Sequence, residues 1–162
     1  MFTVSNISFT DKAAGYRELE KSLAALLTGE RDFIANCANT AALLYQTLPD
    51  LNWAGFYRLA GNELVLGPFQ GRPACVRIPL GKGVCGTAAA RRETVLVPDV
   101  EKFPGHIACD AASRSEIVVP LIKGAKLLGV LDLDSPKLNR FDGLDQAGLE
   151  QISRVIANAS GF

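Results

Sequence analysis

Four cysteines, Cys37, Cys75, Cys85 and Cys109, and one histidine, His106, carry the nucleophilic and soft-ligand chemistry open to this chain. Cys109 follows His106 by three residues in Gly105-His106-Ile107-Ala108-Cys109-Asp110-Ala111, a loop-like stretch between strands where a side chain can be exposed and chemistry is commonly placed. A thiol there, with other thiols available to resolve it, fits redox catalysis, and inert thiols fit the same spacing. Cys37 sits on the apolar stripe of a helix and reads as a small buried hydrophobe. A metal reading would gather Cys75, Cys85, Cys109 and His106 into a Cys3His zinc site. The cysteine spacings of 10 and 24 residues contain no C-x2-C knuckle, so no metal is expected. A Cys-His hydrolase dyad has no diagnostic motif here, and His106 otherwise reads as a polar loop residue that anchors a turn or lines a pocket.

The acids are the sharper signal. Asp132 and Asp134 stand at i and i+2 of a strand and point to one face, with Leu128 and Val130 expected beside them and Leu131 and Leu133 on the other face. Two carboxylates on so apolar a strand are costly unless they meet a cation or share a proton. The preceding strand begins at Glu116, opposite the Asp134 end, so three acids are expected to converge at one end of the sheet. Such a cluster is suited to a small ligand carrying an amine, and an acid of raised pKa there could donate a proton; a carboxylate pair capping the turn at Ser135-Pro136 is the plainer reading. Trp53 and Tyr57, four apart on an aromatic strand, share a face and would form an apolar wall or simply core. Gly81-Lys82-Gly83-Val84-Cys85-Gly86 matches G-x-G-x-x-G, with Asp99 18 residues after Gly81. The helix it opens is short and the flanking hairpins are not a parallel βαβ unit, so these glycines are expected only to turn the chain into a helix.

The elements that must hold these groups follow from periodicity. Ala13, Tyr16, Leu19, Leu23, Leu26 and Leu27 recur at helical spacing, as do Phe33, Ile34, Cys37, Ala38, Ala41, Leu44, Tyr45 and Leu48, with a break near Thr28-Gly29. Two N-terminal helices are therefore expected over about 11–48. A hairpin follows over Asn52 to Leu66, then short strands at Val76 to Leu80 and Thr94 to Val97 around a short helix, Val84 to Arg92. A second hairpin runs from Glu116 to Asp134 through Lys123-Gly124-Ala125-Lys126, completing a sheet core over about 52–134. Asp142 is the expected N-cap of a last helix, about 142–160. Hairpins imply a mostly antiparallel central sheet with helices packed on it, an α+β fold in one domain over residues 1–162. The composition agrees: 48% of the 162 residues are hydrophobic, which excludes disorder, and 17 basic residues balance 17 acidic ones, which argues against a nucleic-acid partner. No apolar run reaches the roughly 18 residues of a membrane span, and Met1 to Lys12 lacks the basic and apolar regions of a signal peptide, so a cytoplasmic protein is expected.

Taken together, Asn52-Trp53-Ala54-Gly55-Phe56-Tyr57, Leu66-Gly67-Pro68-Phe69-Gln70-Gly71, Gly81 to Ala88, Gly105 to Asp110, Ser115 to Leu121 and Gly129-Val130-Leu131-Asp132-Leu133-Asp134-Ser135 resemble the free methionine-(R)-sulfoxide reductase family. Its members are built on a single GAF domain, and the resemblance spans nearly the whole chain from about Leu19. It implies Cys109 as the nucleophile that attacks the sulfoxide sulfur and becomes a sulfenic acid, and Cys75 as the resolving thiol that forms a disulfide with it. Cys85 matches a third family cysteine, an auxiliary thiol. Glu116, Asp132 and Asp134 match the carboxylates of the substrate pocket, and Trp53 and Tyr57 its aromatic wall. It further implies free methionine sulfoxide as substrate, thioredoxin as reductant, no cofactor, and a homodimer. Pro73, two residues before Cys75, departs from the family, where a bulkier or β-branched residue is usual. The alternative is a non-catalytic GAF sensor of a small molecule, against which the absence of an output domain after the last helix counts.

Overall fold

A computed structural model describes residues 6–107 and 110–161. In chain order the elements are α1 (Lys12–Leu26), α2 (Phe33–Thr47), β1 (Trp53–Ala60), β2 (Glu63–Gly71), β3 (Arg77–Pro79), α3 (Gly83–Arg91), β4 (Val95–Val97), a 3₁₀ turn (Val100–Lys102), β5 (Ser115–Lys123), β6 (Lys126–Ser135) and α4 (Gly143–Ala159). The six strands form one sheet in the order β3-β2-β1-β6-β5-β4, and every neighbouring pair is antiparallel. The two expected hairpins, β1–β2 and β5–β6, are joined at the centre where β1 pairs with β6. An all-antiparallel sheet cannot carry a dinucleotide fold, so the glycine run has the plainer role. Gly81 (φ +80°) and Gly83 (φ +59°) take left-handed conformations that a side chain would resist, and they deliver the chain into α3.

The sheet separates two cores. One face, with Ala54, Phe56, Ile117, Val119, Leu131 and Leu133, packs under Leu19 and Leu23 of α1, Ala41 and Leu44 of α2, and Leu149, Ile152 and Ile156 of α4. These are the stripes that the helical periodicity marks, and each fully buried Leu or Ile stabilises the fold by about 1.5–3 kcal/mol relative to exposure. The other face carries Trp53, Tyr57, Val118 and Val130 and is covered by α3 through Val84, Cys85, Ala88 and Ala89. One expectation fails here. Leu121 pairs with Gly129 and Ile122 with Leu127, which leaves Leu128 as an extra residue in β6. This bulge puts Leu127 with Val130 on the α3 side and turns Leu128 into the three-helix core, not onto the acid face.

The starts of α1, α2 and α4 are fixed by the carboxylates that the sequence places there. Asp11 and Asp32 accept from the N–H of Ala14 and Ala35. Asp142 and Asp145 form a capping box at α4. Asp145 is fully buried and also accepts from the Tyr16 hydroxyl at 2.9 Å, Arg140 Nη1 at 3.0 Å and Lys12 Nζ at 2.5 Å, tying α1 to α4. The Lys12 ammonium, hydrogen-bonded to Asp142, holds that carboxyl down to about 2. No helix among the described residues is long and apolar enough to cross a membrane.

Candidate functional site

A cavity of about 510 Å³, solvent at its mouth included, opens between the acid-bearing end of the sheet and the start of α3. Its floor is set by strand register. Glu116 of β5 stands opposite Asp134 of β6, Asp134 stands opposite Trp53 of β1, and Asp132 stands between Val118 and Gly55. The three acids therefore share a face, as the period-two spacing and the hairpin predict. Glu116 and Asp132 are each 6% exposed, while Asp134 is half-buried nearer the mouth.

All three carboxyls are pushed well above the ordinary range. Burial is the first cause in each, reinforced by Asp134 at Glu116, by Glu116 at Asp132, and by Asp132 at Asp134. Asp110, on the same pocket, goes the other way: the Ala112 N–H, then the Asn52 amide and the Arg72 guanidinium, hold it low. The pocket thus holds acids whose proton affinities are pushed in opposite directions, upward at the floor and downward at the rim, the separation that assigns acid and base roles in enzymes. His106 Nε2 lies 3.4 Å from Glu116 Oε2, and burial pushes the imidazole down. Cys85 donates its thiol proton to Asp132 Oδ2 at 3.2 Å. Asp132 also hydrogen-bonds the Glu116 carboxyl, and among the described residues no fixed N–H, O–H or S–H donor meets its buried Oδ1, a condition that a donor on a ligand would relieve.

The wall is aromatic. Trp53 stacks on Tyr57 at 6.0 Å between centroids and on Phe69 at 5.3 Å. Gly55 makes this possible, because a Cβ there would lie 2.4 Å from Phe69 Cβ and 2.6 Å from the Trp53 ring. The polar tips of both aromatics bond the segment opposite: Trp53 Nε1 donates to the Arg72 carbonyl at 3.1 Å and the Tyr57 hydroxyl to the Cys75 carbonyl at 3.0 Å. The wall therefore holds the loop that carries Cys75.

Of the sequence-predicted residues, Trp53, Tyr57, Cys85, Glu116, Asp132 and Asp134 all line this cavity. Cys75 lies beside it and is disulfide-bonded. Cys37 and Cys85 are free and buried. Cys109 lies outside the described residues. Cys85, Glu116 and Asp132 bring ligand atoms within 4.8 Å of one another, a spacing at which a metal ion or an ammonium could be held. Sequence reasoning missed Phe69, Arg72, Asp110, Ser113 and the support from Asn52, whose amide donates to Asp110 Oδ2 at 3.1 Å and Ser113 Oγ at 3.0 Å. Phe69 was open to discovery, since a glycine between two same-face aromatics invites a large residue across the strand pair. The Asn52 contacts span about 60 residues and leave no local signal.

Comparison with known proteins gives a consistent result. The GAF domain family matches residues 32–159. The chain is 55% identical over 142 residues to the free methionine-R-sulfoxide reductase of Escherichia coli K12, covering 88% of this chain and 86% of that one. It is 46% identical over 153 residues to the free methionine-R-sulfoxide reductase of Saccharomyces cerevisiae, covering 90% and 85%. The X-ray structure of free methionine-R-sulfoxide reductase from Neisseria meningitidis in complex with its substrate superposes with a TM-score of 0.93 at 45% identity, covering 98% of this chain and 95% of that one.

Proposed function

Because the chain belongs to the free methionine-R-sulfoxide reductase family of GAF-domain proteins, we propose that it reduces free L-methionine-(R)-sulfoxide to methionine by thiol chemistry in this cavity. The observation that carries the reading is the floor: three carboxyl groups of raised pKa gathered on one face of the sheet, beneath an aromatic wall. The substrate offers an ammonium for the carboxyls, a methyl for the wall and a sulfoxide oxygen that must be protonated as sulfur is attacked.

In the proposed cycle Cys109 attacks the sulfoxide sulfur as a thiolate while a floor acid protonates the oxygen. The protonated oxygen then passes from the substrate sulfur to the Cys109 sulfur as the transient bond between the two sulfurs breaks, so methionine leaves and Cys109 becomes a sulfenic acid. The Cys75 thiol then displaces that oxygen as water, forming a disulfide: two thiols are oxidised by two electrons and the sulfoxide is reduced by the same two. A disulfide-bonded Cys75 beside the cavity supports its role as the resolving thiol. A dithiol of the thioredoxin class would return the enzyme to its reduced form. That reductant and a homodimer carry over from the family resemblance, while a cytoplasmic setting and the reading of residues 1–162 as one domain rest on the sequence patterning.

The test is NADPH consumption with thioredoxin and thioredoxin reductase on adding free methionine sulfoxide. Steady consumption that stops when the R epimer is exhausted is expected. A non-catalytic sensor would give none.

A further inference from the structure

We propose that Cys85 serves this reaction as a hydrogen-bond donor that fixes the Asp132 carboxyl, and exchanges no electrons itself. The inference rests on the reading of Asp132 as an acid of the substrate pocket. Cys85 is the third residue of α3 and is 4% exposed, with its Sγ 3.2 Å from Asp132 Oδ2. Its position is rigid. The Gly81 N–H donates to the Gly86 carbonyl at 2.8 Å, and a Cβ at Gly86 would lie 2.4 Å from the Pro79 carbonyl oxygen, so the start of α3 is locked against the end of β3. A sulfur held this way has little freedom to swing toward another thiol.

The contact selects an orientation for Asp132. One oxygen is occupied by the thiol and the Glu116 carboxyl also hydrogen-bonds Asp132, so among the described residues Oδ1 has no fixed N–H, O–H or S–H donor and is open to substrate. Without the thiol the carboxyl would keep only its contact with Glu116 and lose part of its preorganisation. Burial, Asp132 and Glu116 all push the Cys85 thiol upward, which also disfavours the thiolate that exchange chemistry requires. The expected contribution is that of one buried hydrogen bond to an acid, about tenfold in the chemical step.

Two variants and one spectroscopic measurement test this. Cys85→Ser keeps a donor in the same place and should retain single-turnover methionine release within about twofold, with thioredoxin-dependent recycling intact. Cys85→Ala removes the donor and should slow single-turnover release about tenfold while leaving recycling after the first turnover unchanged. Normal single-turnover yield with lost recycling in Cys85→Ser would make Cys85 a redox thiol and overturn the proposal. Equal single-turnover rates for the serine and alanine variants would overturn it as well. Infrared spectroscopy reads the contact without any activity. The reduced protein should show a low-frequency S–H stretch that vanishes in Cys85→Ser and shifts upward in Asp132→Leu. An S–H band unmoved by Asp132→Leu would refute the hydrogen bond even if the protein reduces no sulfoxide at all. Melting curves of the variants separate loss of fold from loss of orientation.

Discussion

Replacing Glu116 by glutamine should raise the stability of the protein while destroying most of its activity. The side chain is 6% exposed, faces Asp134 directly across the β5–β6 ladder, and has its pKa lifted by burial and then by Asp134. A carboxyl whose folded pKa is raised holds its proton in the folded state after the unfolded chain has released it. Its contribution is fully favourable below the ordinary carboxyl range of about 4.3 and is lost as pH rises from there toward the folded value. Glutamine keeps the shape and cannot ionise, so it removes that loss. A relief of about 1–3 kcal/mol corresponds to roughly 2–12 °C in melting temperature for a chain this long. On the functional side, an amide can neither balance an ammonium nor deliver a proton. Losing one partner of a buried charge-assisted contact costs about 2–5 kcal/mol, a factor of roughly 30 to several thousand. The experiment pairs kcat/KM on the free amino acid with thermal melts at pH 4 and pH 8. Wild type should lose more melting temperature between those values than Glu116→Gln, and the variant should melt higher at pH 8. A variant that melts lower than wild type at pH 8, or keeps kcat/KM within threefold, would refute the account of the floor as an electrostatically costly acid cluster.

Cys109→Ser should abolish methionine release even in a single turnover, because a serine hydroxyl is a poor nucleophile at neutral pH, and quantifying methionine per subunit decides it. Cys75→Ser should release about one equivalent and then stop, with a sulfenic-acid probe labelling the protein after substrate addition. Wild-type enzyme should process N-acetylmethionine sulfoxide at least about tenfold less efficiently than the free form, since the acetyl group removes the ammonium; comparable kcat/KM values would show that the acids do not read the amine. Asp145→Asn should act oppositely to Glu116→Gln, because it strips the buried Arg140 of its carboxylate and leaves Lys12 with Asp142 alone. That costs about 3–5 kcal/mol, and thermal melts at neutral pH should fall by roughly 6–20 °C.

The parts of the site legible in the sequence are those governed by a short period. Asp132 and Asp134 declare their common face through alternation, and Glu116 through the hairpin that pairs it with Asp134. The helices are legible because Leu19, Leu23, Leu149, Ile152 and Ile156 recur at helical spacing and their caps are aspartates. Leu128 is the counterexample. Alternation was extended through a strand whose period breaks at a bulge, and the bulge is set by how Leu121 and Ile122 pair across the hairpin, not by any residue type at 128. The contacts of Asn52 with Asp110 and Ser113, of Cys85 with Asp132 and of His106 with Glu116 are products of the assembled fold. Nothing in the spacing of these pairs along the chain announces them.

Trp53 is the sole tryptophan of the chain. It is 3% exposed, stacked on Tyr57 and Phe69, and its indole N–H bonds the Arg72 carbonyl three residues before Cys75. Indole emission responds to the loss of that bond and to the polarity of whatever enters the cavity, so the protein has a built-in optical reporter at the place where ligand and loop meet. Stopped-flow fluorescence on the unlabelled, unmodified enzyme can therefore time substrate entry and loop rearrangement separately. No background from a second tryptophan would need to be subtracted.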